Sequence, residues 1–317
     1  MARHPAPKKS GKQQICAYGP YPGFLGLEPE HSSRSRSKVL VLPVPYECTT
    51  SYGQGTRFGP RAIIDASSAL ELYDHEAGTE PALELGFHTL PPVLPNMDSP
   101  EEMAASLAAC AEPLYKSGKF VLALGGEHTI TAGLVRAAVR QWPDLCIVHV
   151  DAHADLRNSY QGTAYSHACA ARRAFEELKD NGGLQLIQVG IRNVAREEHE
   201  FAKARPERIR TFWGDDIADD RARHWLGDIE ELVKGRNVYL SFDVDGLDPS
   251  IMPATGTPEP GGLDWWDAFE IVERIAKAGT LVAADLVELA PQYGNRAPDF
   301  IAAKLGYVIA TKAVRRQ

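Results

Sequence analysis

Leu145 to Asp155 reads LCIVHVDAHAD. Its first six residues are apolar or nearly so, a run suited to a strand buried on both faces. Such a strand needs helices above and below it, which confines the chain to an α/β architecture. Asp151, His153 and Asp155 follow, spaced two apart. In extended chain, positions i, i+2 and i+4 project from one face, so three metal-binding groups would point the same way. Two carboxylates that close are unfavourable unless a cation or a proton compensates them. The bland alternative, an exposed polar turn, loses ground with each later segment.

Short apolar runs and amphipathic stretches alternate through the rest of the chain. Strands are expected at 38–44, 84–93 (a looser extended stretch), 119–124, 145–150, 184–190, 207–213, 237–245 and 280–288. Helices are expected from Arg61 to about Tyr73, from a Ser99 cap to about Ser117, from Thr129 or Thr131, and over 167–180, 194–204, 219–234, 264–278 and 297–313. Eight strands alternating with helices predict a mostly parallel sheet covered on both faces, in one domain over 38–317. A closed eight-stranded barrel is the rival architecture. Ligands of such open sheets collect at the carboxyl ends of the strands.

Residues 1–37 are rich in Pro, Gly, Ser, Lys and Arg and read as an N-terminal tail. Its first fourteen residues are expected to be disordered. Tyr18 to Leu27 carries three aromatics and is expected to drape over the body or a neighbouring subunit. A formal charge of −8 makes nucleic acid an unpromising partner. No apolar run approaches the ~18 residues of a membrane helix. The N-terminus lacks the apolar core of a signal peptide. Five scattered cysteines argue for a reducing compartment, with the cytoplasm as the expectation.

Other strand ends repeat the theme of the first. His128 stands just past Gly125-Gly126, Asp243 and Asp245 end the 237–245 strand two apart, and Asp285 and Glu288 end the last strand. Asp248, just before Pro249, reads as a turn or cap residue. Each alone could be a satisfied hydrogen-bonding group. Together, Asp151, Asp155, Asp243 and Asp245 with His128 and His153 give four negative charges, enough to balance two divalent cations. Oxygen-rich ligation with two imidazoles suits manganese better than structural zinc. Ions ~3.5–4 Å apart need bridging carboxylates, for which Asp151 and Asp243 are the natural choices. A pair of ions so held acidifies a water, so the chemistry is metal-assisted hydrolysis.

GGEH (125–128), DAHAD (151–155) and SFDVDGLDPSIMPATGTPEPGGL (241–263) resemble the three signature segments of the ureohydrolase family, which includes arginases and agmatinases. The likeness runs over roughly residues 38 to 312. It implies a three-layer α/β/α fold with an eight-stranded parallel sheet, two Mn²⁺ ions, hydrolysis of a guanidino group to release urea, and assembly as a trimer or hexamer. By the same resemblance, one metal would take His128, Asp151, Asp155 and Asp243, and the other Asp151, His153, Asp243 and Asp245. Asp155 counts among the catalytic groups with His167 and Glu288. His167 matches the family histidine that shuttles protons to the leaving amine, and Glu288 the acid that grips the guanidinium. Thr257 matches a pocket residue beside the guanidinium. Asp285 is expected to support the ligands from behind.

The distal end of the substrate decides between family members. Arginases hold the amino acid's carboxylate and amine with an Asn and a Ser in the loop after the second motif. This chain has Arg157 and Ala164 there. The YSHA ending (165–168) and PYECTTSYGQGTRFGPRAI upstream look like agmatinases, so agmatine, cleaved to putrescine and urea in polyamine metabolism, is the first expectation. An Arg157 that faces inward would favour an acid-ended guanidine such as guanidinobutyrate or guanidinopropionate. A different class, a non-catalytic metal-stabilised binding protein, is disfavoured because no ligand of the set is missing.

Overall fold

The computed structural model describes residues 23–75 and 77–315. Eight strands make one sheet: β1 (Val39–Val44), β2 (Phe87–Thr89), β3 (Phe120–Gly125), β4 (Cys146–Val150), β5 (Leu186–Ile191), β6 (Ile209–Trp213), β7 (Asn237–Asp243) and β8 (Thr280–Val287). Their order is β2-β1-β3-β8-β7-β4-β5-β6, and every pairing is parallel. Among the described residues β2 and β6 are the two edges and do not pair with each other, so the sheet is open and the barrel alternative falls.

The strands are apolar on both sides because both sides are covered. Val39, Val41, Leu122, Leu124, Val148, Leu240 and Phe242 pack in one cluster with the helices Gly59–Ser67, His224–Val233, Trp265–Ala278 and Ala297–Arg315. Leu40, Leu42, Val121, Ala123, Ile147 and Tyr239 pack in the other, against Pro100–Tyr115, Ile130–Gln141 and Ala170–Glu177. Alternate residues of one strand thus feed opposite cores, the period-two rule of extended chain. This is the three-layer α/β/α arrangement.

Several expected boundaries shift, for local reasons. The first long helix stops at Ser67, where the Ser67 and Ser68 hydroxyls donate back to the Ile64 and Asp65 carbonyls. Most of 84–93 is not strand: Pro81–Leu85 is helical, and only Phe87–Thr89 pairs before the prolines. The 219–234 helix is cut to His224–Val233. Asp220 accepts the Trp225 N–H at 3.2 Å, and Arg223 takes a left-handed φ of 57°. The 167–180 helix is Ala170–Glu177 behind a 3-10 turn at His167–Cys169.

The first fourteen residues, and Tyr18 to Pro22, lie outside the described residues. Of the rest of that segment, Phe24 and Leu25 are buried in the core, with the Leu25 N–H on the Ser67 hydroxyl at 2.7 Å. Among the described residues, no helix is long and apolar enough to cross a membrane.

β7 and β8 contain a one-residue slip between Val238 and Tyr239. It moves every later side chain of β8 to the opposite face. Asp285 consequently pairs with Ser241 and with Ala123, on the side where the candidate ligands gather.

Candidate metal and catalytic site

Four strands adjacent in the sheet, β3, β8, β7 and β4, deliver their carboxyl ends to one place. After β3 the chain passes under Tyr46. The Gly126 N–H donates to the Val44 carbonyl at 2.9 Å, and a Cβ on Gly126 would lie 1.9 Å from the Tyr46 oxygen. Only glycine permits that approach, and it turns His128 inward, where it is 1% exposed.

The tautomer of His128 follows from its surroundings. Asp285 is fully buried and accepts three hydroxyls: Tyr239 at 2.6 Å, Ser241 at 2.8 Å and Thr131 at 2.8 Å. Ser241 has one hydrogen, committed to Asp285. Nε2 of His128, 2.9 Å from the Ser241 oxygen, therefore donates to it. The lone pair is left on Nδ1. Nδ1 faces oxygens of Asp151 at 3.1 Å, Asp155 at 3.2 Å and Asp243 at 3.1 Å. Both His128 Nδ1 and Asp151 Oδ2 are buried without a partner in hydrogen-bond geometry. Four buried acceptors converging on one point are repulsive unless a positive charge lies among them.

A second group adjoins the first. His153 Nδ1 is 3.0 Å from Asp245 Oδ2 and 3.5 Å from Asp151 Oδ1. One oxygen each of Asp245, Asp243 and Asp151 is tethered to backbone: Asp245 Oδ1 accepts the Ala152 N–H at 3.0 Å, Asp243 Oδ1 the Asp245 N–H at 2.8 Å, and Asp151 Oδ1 the His153 N–H at 2.5 Å. Asp151 belongs to both groups; donor atoms of His128, His149, Asp151 and Asp155 lie within 4.8 Å of one another, as do those of Asp151, His153 and Asp245, and Asp243 joins the first through its 3.1 Å approach to His128. The expected common face of extended chain is not how this arises. β4 ends at Val150 and β7 at Asp243, and Val244–Gly246 is a 3-10 turn. Turns, not continued strands, bring Asp155 and Asp245 in.

The electrostatics agree with a site short of positive charge. Burial raises the carboxyls of Asp243 and Asp245, and carboxylate neighbours add to the rise. Burial would raise Asp151 too, but the imidazoles of His149, His128 and His153 hold it well below the usual range. Burial would lower His153, yet Asp245 and Asp151 push it up to about 12. Four carboxylates, the inward lone pair of His128 and a second imidazole at His153, whose proton an ion would displace, fit two divalent ions.

His149 was not foreseen, although it stands two before Asp151 in the same alternating run. The Gln188 side chain lies 2.7 Å from the Ala154 carbonyl, which only accepts, so the atom there is Nε2. That same Nε2 donates to His149 Nδ1 at 3.2 Å. The His149 proton is therefore on Nε2, 3.0 Å from Asp151 Oδ2. His149 thus turns hydrogen, not a lone pair, toward the aspartate, though outside hydrogen-bond geometry; with that proton in place it is a neighbour of the cluster and not a ligand, although its nitrogen lies within reach of the first group.

Above the cluster is a cleft of about 200 Å³ lined by His128, His153, Asp155, His167, Asp243, Asp245, Thr257 and Glu288. All the expected site residues thus meet there, except Asp151 just beneath and Asp285 behind His128. Asp155 and Glu288 hold left-handed φ values of 51° and 67°. Such strain persists only where neighbours overdetermine it. Here the Arg172 N–H binds the Asp155 carbonyl, and the Glu288 carboxylate accepts the His128 N–H at 2.6 Å. Burial, then the nearby Glu127, drives the Glu288 carboxyl well above its usual range, a state that an incoming cation reverses.

Arg157 also lines the cleft, with its side chain partly exposed there. It stacks over Tyr160 at 5.0 Å and is paired at 3.7 and 3.8 Å with Glu197 and Glu198. Asp248 is a turn residue, accepting N–H groups of Ser250, Gly261 and Gly262.

Residues 37–311 match the model of the arginase family. The chain is 37% identical over 281 residues to an N(1)-aminopropylagmatine ureohydrolase of Synechocystis sp., covering 87% of this chain and 89% of the relative. It is 35% identical over 256 residues to a guanidinobutyrase of Pseudomonas aeruginosa, covering 80% and 79%. The solved agmatine ureohydrolase of Thermoplasma volcanium superposes with a TM-score of 0.78 at 33% identity, over 88% of this chain and 90% of that one.

Proposed function

This chain belongs to the arginase family, and from that premise we propose that it hydrolyses the guanidino C–N bond of agmatine, giving putrescine and urea, with two manganese ions as cofactor. That it is an amidinohydrolase acting on guanidino compounds follows from family and relatives together. The observation that carries the metal reading is the inward lone pair of His128 among three carboxylates.

His128, Asp151, Asp155 and Asp243 would hold one ion, and Asp151, His153, Asp243 and Asp245 the other; together the ions would acidify a water to near-neutral pKa. Glu288 grips the substrate guanidinium and fixes its carbon above the cluster. Thr257 lies beside it. His167 takes a proton from the attacking oxygen and delivers it to the leaving amine nitrogen. At the mouth, Arg157 is offset by Glu197 and Glu198, which supports a cationic tail over an anionic one. A second reading, an acid-ended guanidine, has one observation in its favour: the Arg157 pairs are longer than hydrogen bonds, leaving N–H groups to spare.

The test is urea release by the manganese-loaded protein from agmatine, N(1)-aminopropylagmatine, guanidinobutyrate, guanidinopropionate, arginine and free guanidine. Agmatine is expected to show the highest kcat/KM. A higher value for guanidinobutyrate would replace the substrate, and urea from none of them would leave a non-catalytic binding protein.

A further inference from the structure

Thr49 lies between Glu127, a buried acid on no substrate-facing surface, and His167. Four donors load the Glu127 carboxylate. Oε2 accepts the N–H groups of Cys48 at 2.7 Å and Thr49 at 2.6 Å, and Oε1 accepts the hydroxyls of Thr129 at 2.7 Å and Thr49 at 2.9 Å. The single hydrogen of the Thr49 hydroxyl is thereby committed, and the oxygen can only accept from elsewhere. It accepts the backbone N–H of His167 at 2.9 Å. Thr129, 3.4 Å away, gives its own hydrogen to Glu127; His167 Nδ1 lies 3.1 Å from Thr49 and 3.3 Å from the Ser166 hydroxyl, and the closer of the two can only accept, so Nδ1 carries the hydrogen. Neutral His167 is left with its lone pair on Nε2. On that side the nearest hydrogen-bonding group is the Ser51 hydroxyl at 3.5 Å, in the cleft wall.

We infer that Thr49 is a positioning residue: through it Glu127 holds the proton of His167 on Nδ1, so that Nε2 faces the cleft as the proton acceptor. The inference rests on the reading of His167 as proton carrier. As the C–O bond forms at the guanidino carbon, Nε2 takes the proton of the attacking oxygen. As the C–N bond breaks, Nε2–H gives that proton to the departing amine nitrogen. The Nδ1 proton stays on the ring, hydrogen-bonded to the Thr49 oxygen throughout, so one imidazole ends as it began. A histidine free in water distributes its proton between both nitrogens, and the relay removes the unproductive form.

The experiment compares Thr49→Val, Thr49→Ser and His167→Ala in the manganese-loaded protein, with metal content and melting measured on each. Thr49→Val is expected to lower kcat by about tenfold with little change in KM and with manganese retained, a loss typical of a supporting partner. Thr49→Ser, which keeps the hydroxyl, is expected to restore it. His167→Ala is expected to lose more than Thr49→Val. ¹⁵N spectra of histidine-labelled wild-type protein loaded with diamagnetic Mg²⁺ are expected to show the Nδ1–H form of His167, independently of whether any variant folds. An Nε2–H form in that spectrum overturns the relay. So does a normal kcat for Thr49→Val beside an impaired His167→Ala, which leaves the proton-carrier reading standing. A fully active His167→Ala overturns that reading and the relay with it.

Discussion

At the floor of the cleft, His128, Asp151, Asp243 and Asp245 are at most 3% exposed and stand at the ends of neighbouring strands. At the mouth, Tyr52 is 80% exposed, and Arg157 reaches its partners only at 3.7 to 3.8 Å. The floor is held by sheet register and by acids whose oxygens are tethered to backbone. The mouth is assembled from separate loops, each knotted by one carboxylate: Glu47 accepts the Gly55 and Arg57 N–H groups, and Glu198 those of Leu156 and Ala195. Relatives aligned over most of this chain carry names for three different guanidino compounds. A fixed floor under an adaptable mouth explains how one chemistry serves several distal ends.

The contrast can be broken at either end. The largest effect belongs to the floor: Glu288→Gln is expected to cut kcat/KM by about a hundredfold, because a charge-assisted pair to the guanidinium becomes a neutral one. Manganese content and melting should stay near wild type. Activity within a fewfold of wild type would show that the guanidinium is held elsewhere.

An intermediate effect is expected at the mouth. Arg157→Ala should change KM by only about two- to fivefold, the scale of a half-exposed charge. The sign sharpens the comparison: KM should fall for agmatine and rise for guanidinobutyrate, with kcat steady. A collapse of kcat for both would tie Arg157 to the floor.

The smallest effect belongs to the knot at Glu47. Burial would raise its carboxyl, but the N–H groups of Gly55 and Arg57 and the Arg57 guanidinium outweigh burial and lower it. A depressed carboxyl stabilises the fold above its unfolded pKa and loses that contribution as pH falls through the folded one. Glu47→Gln should therefore cost about 1 kcal/mol at pH 7, seen as a Tm lower by ~1–2 °C. The gap to wild type should close as pH drops below 4.5. A gap that persists unchanged in acid would remove the charge from the explanation.

Much of this was legible before any coordinates. Apolar runs such as 119–124 and 145–150 announce buried strands, because a parallel sheet covered on both sides leaves no polar face. The acids and imidazoles at 128, 151, 153, 155, 243 and 245 announce a candidate cation site, because such a cluster is tolerable only with cations or protons among its oxygens. His149 obeyed the same spacing and was passed over, since spacing does not say which nitrogen bears the proton. Thr49, Ser241 and Gln188 carried no signal at all, for a hydroxyl or an amide is ordinary until its partners are known. The helix expected over 219–234 begins only at His224 because Asp220 binds back on the backbone, a local competition that helical periodicity does not register.

Residue order by itself determined which groups could bind cations and which stretches had to be buried. Only the folded chain decided that β8 slips by one residue against β7, placing Asp285 behind His128, and that Thr49 meets His167. Composition and periodicity are properties of neighbours along the chain, whereas register and proton placement depend on donors and acceptors from about forty to more than a hundred residues apart.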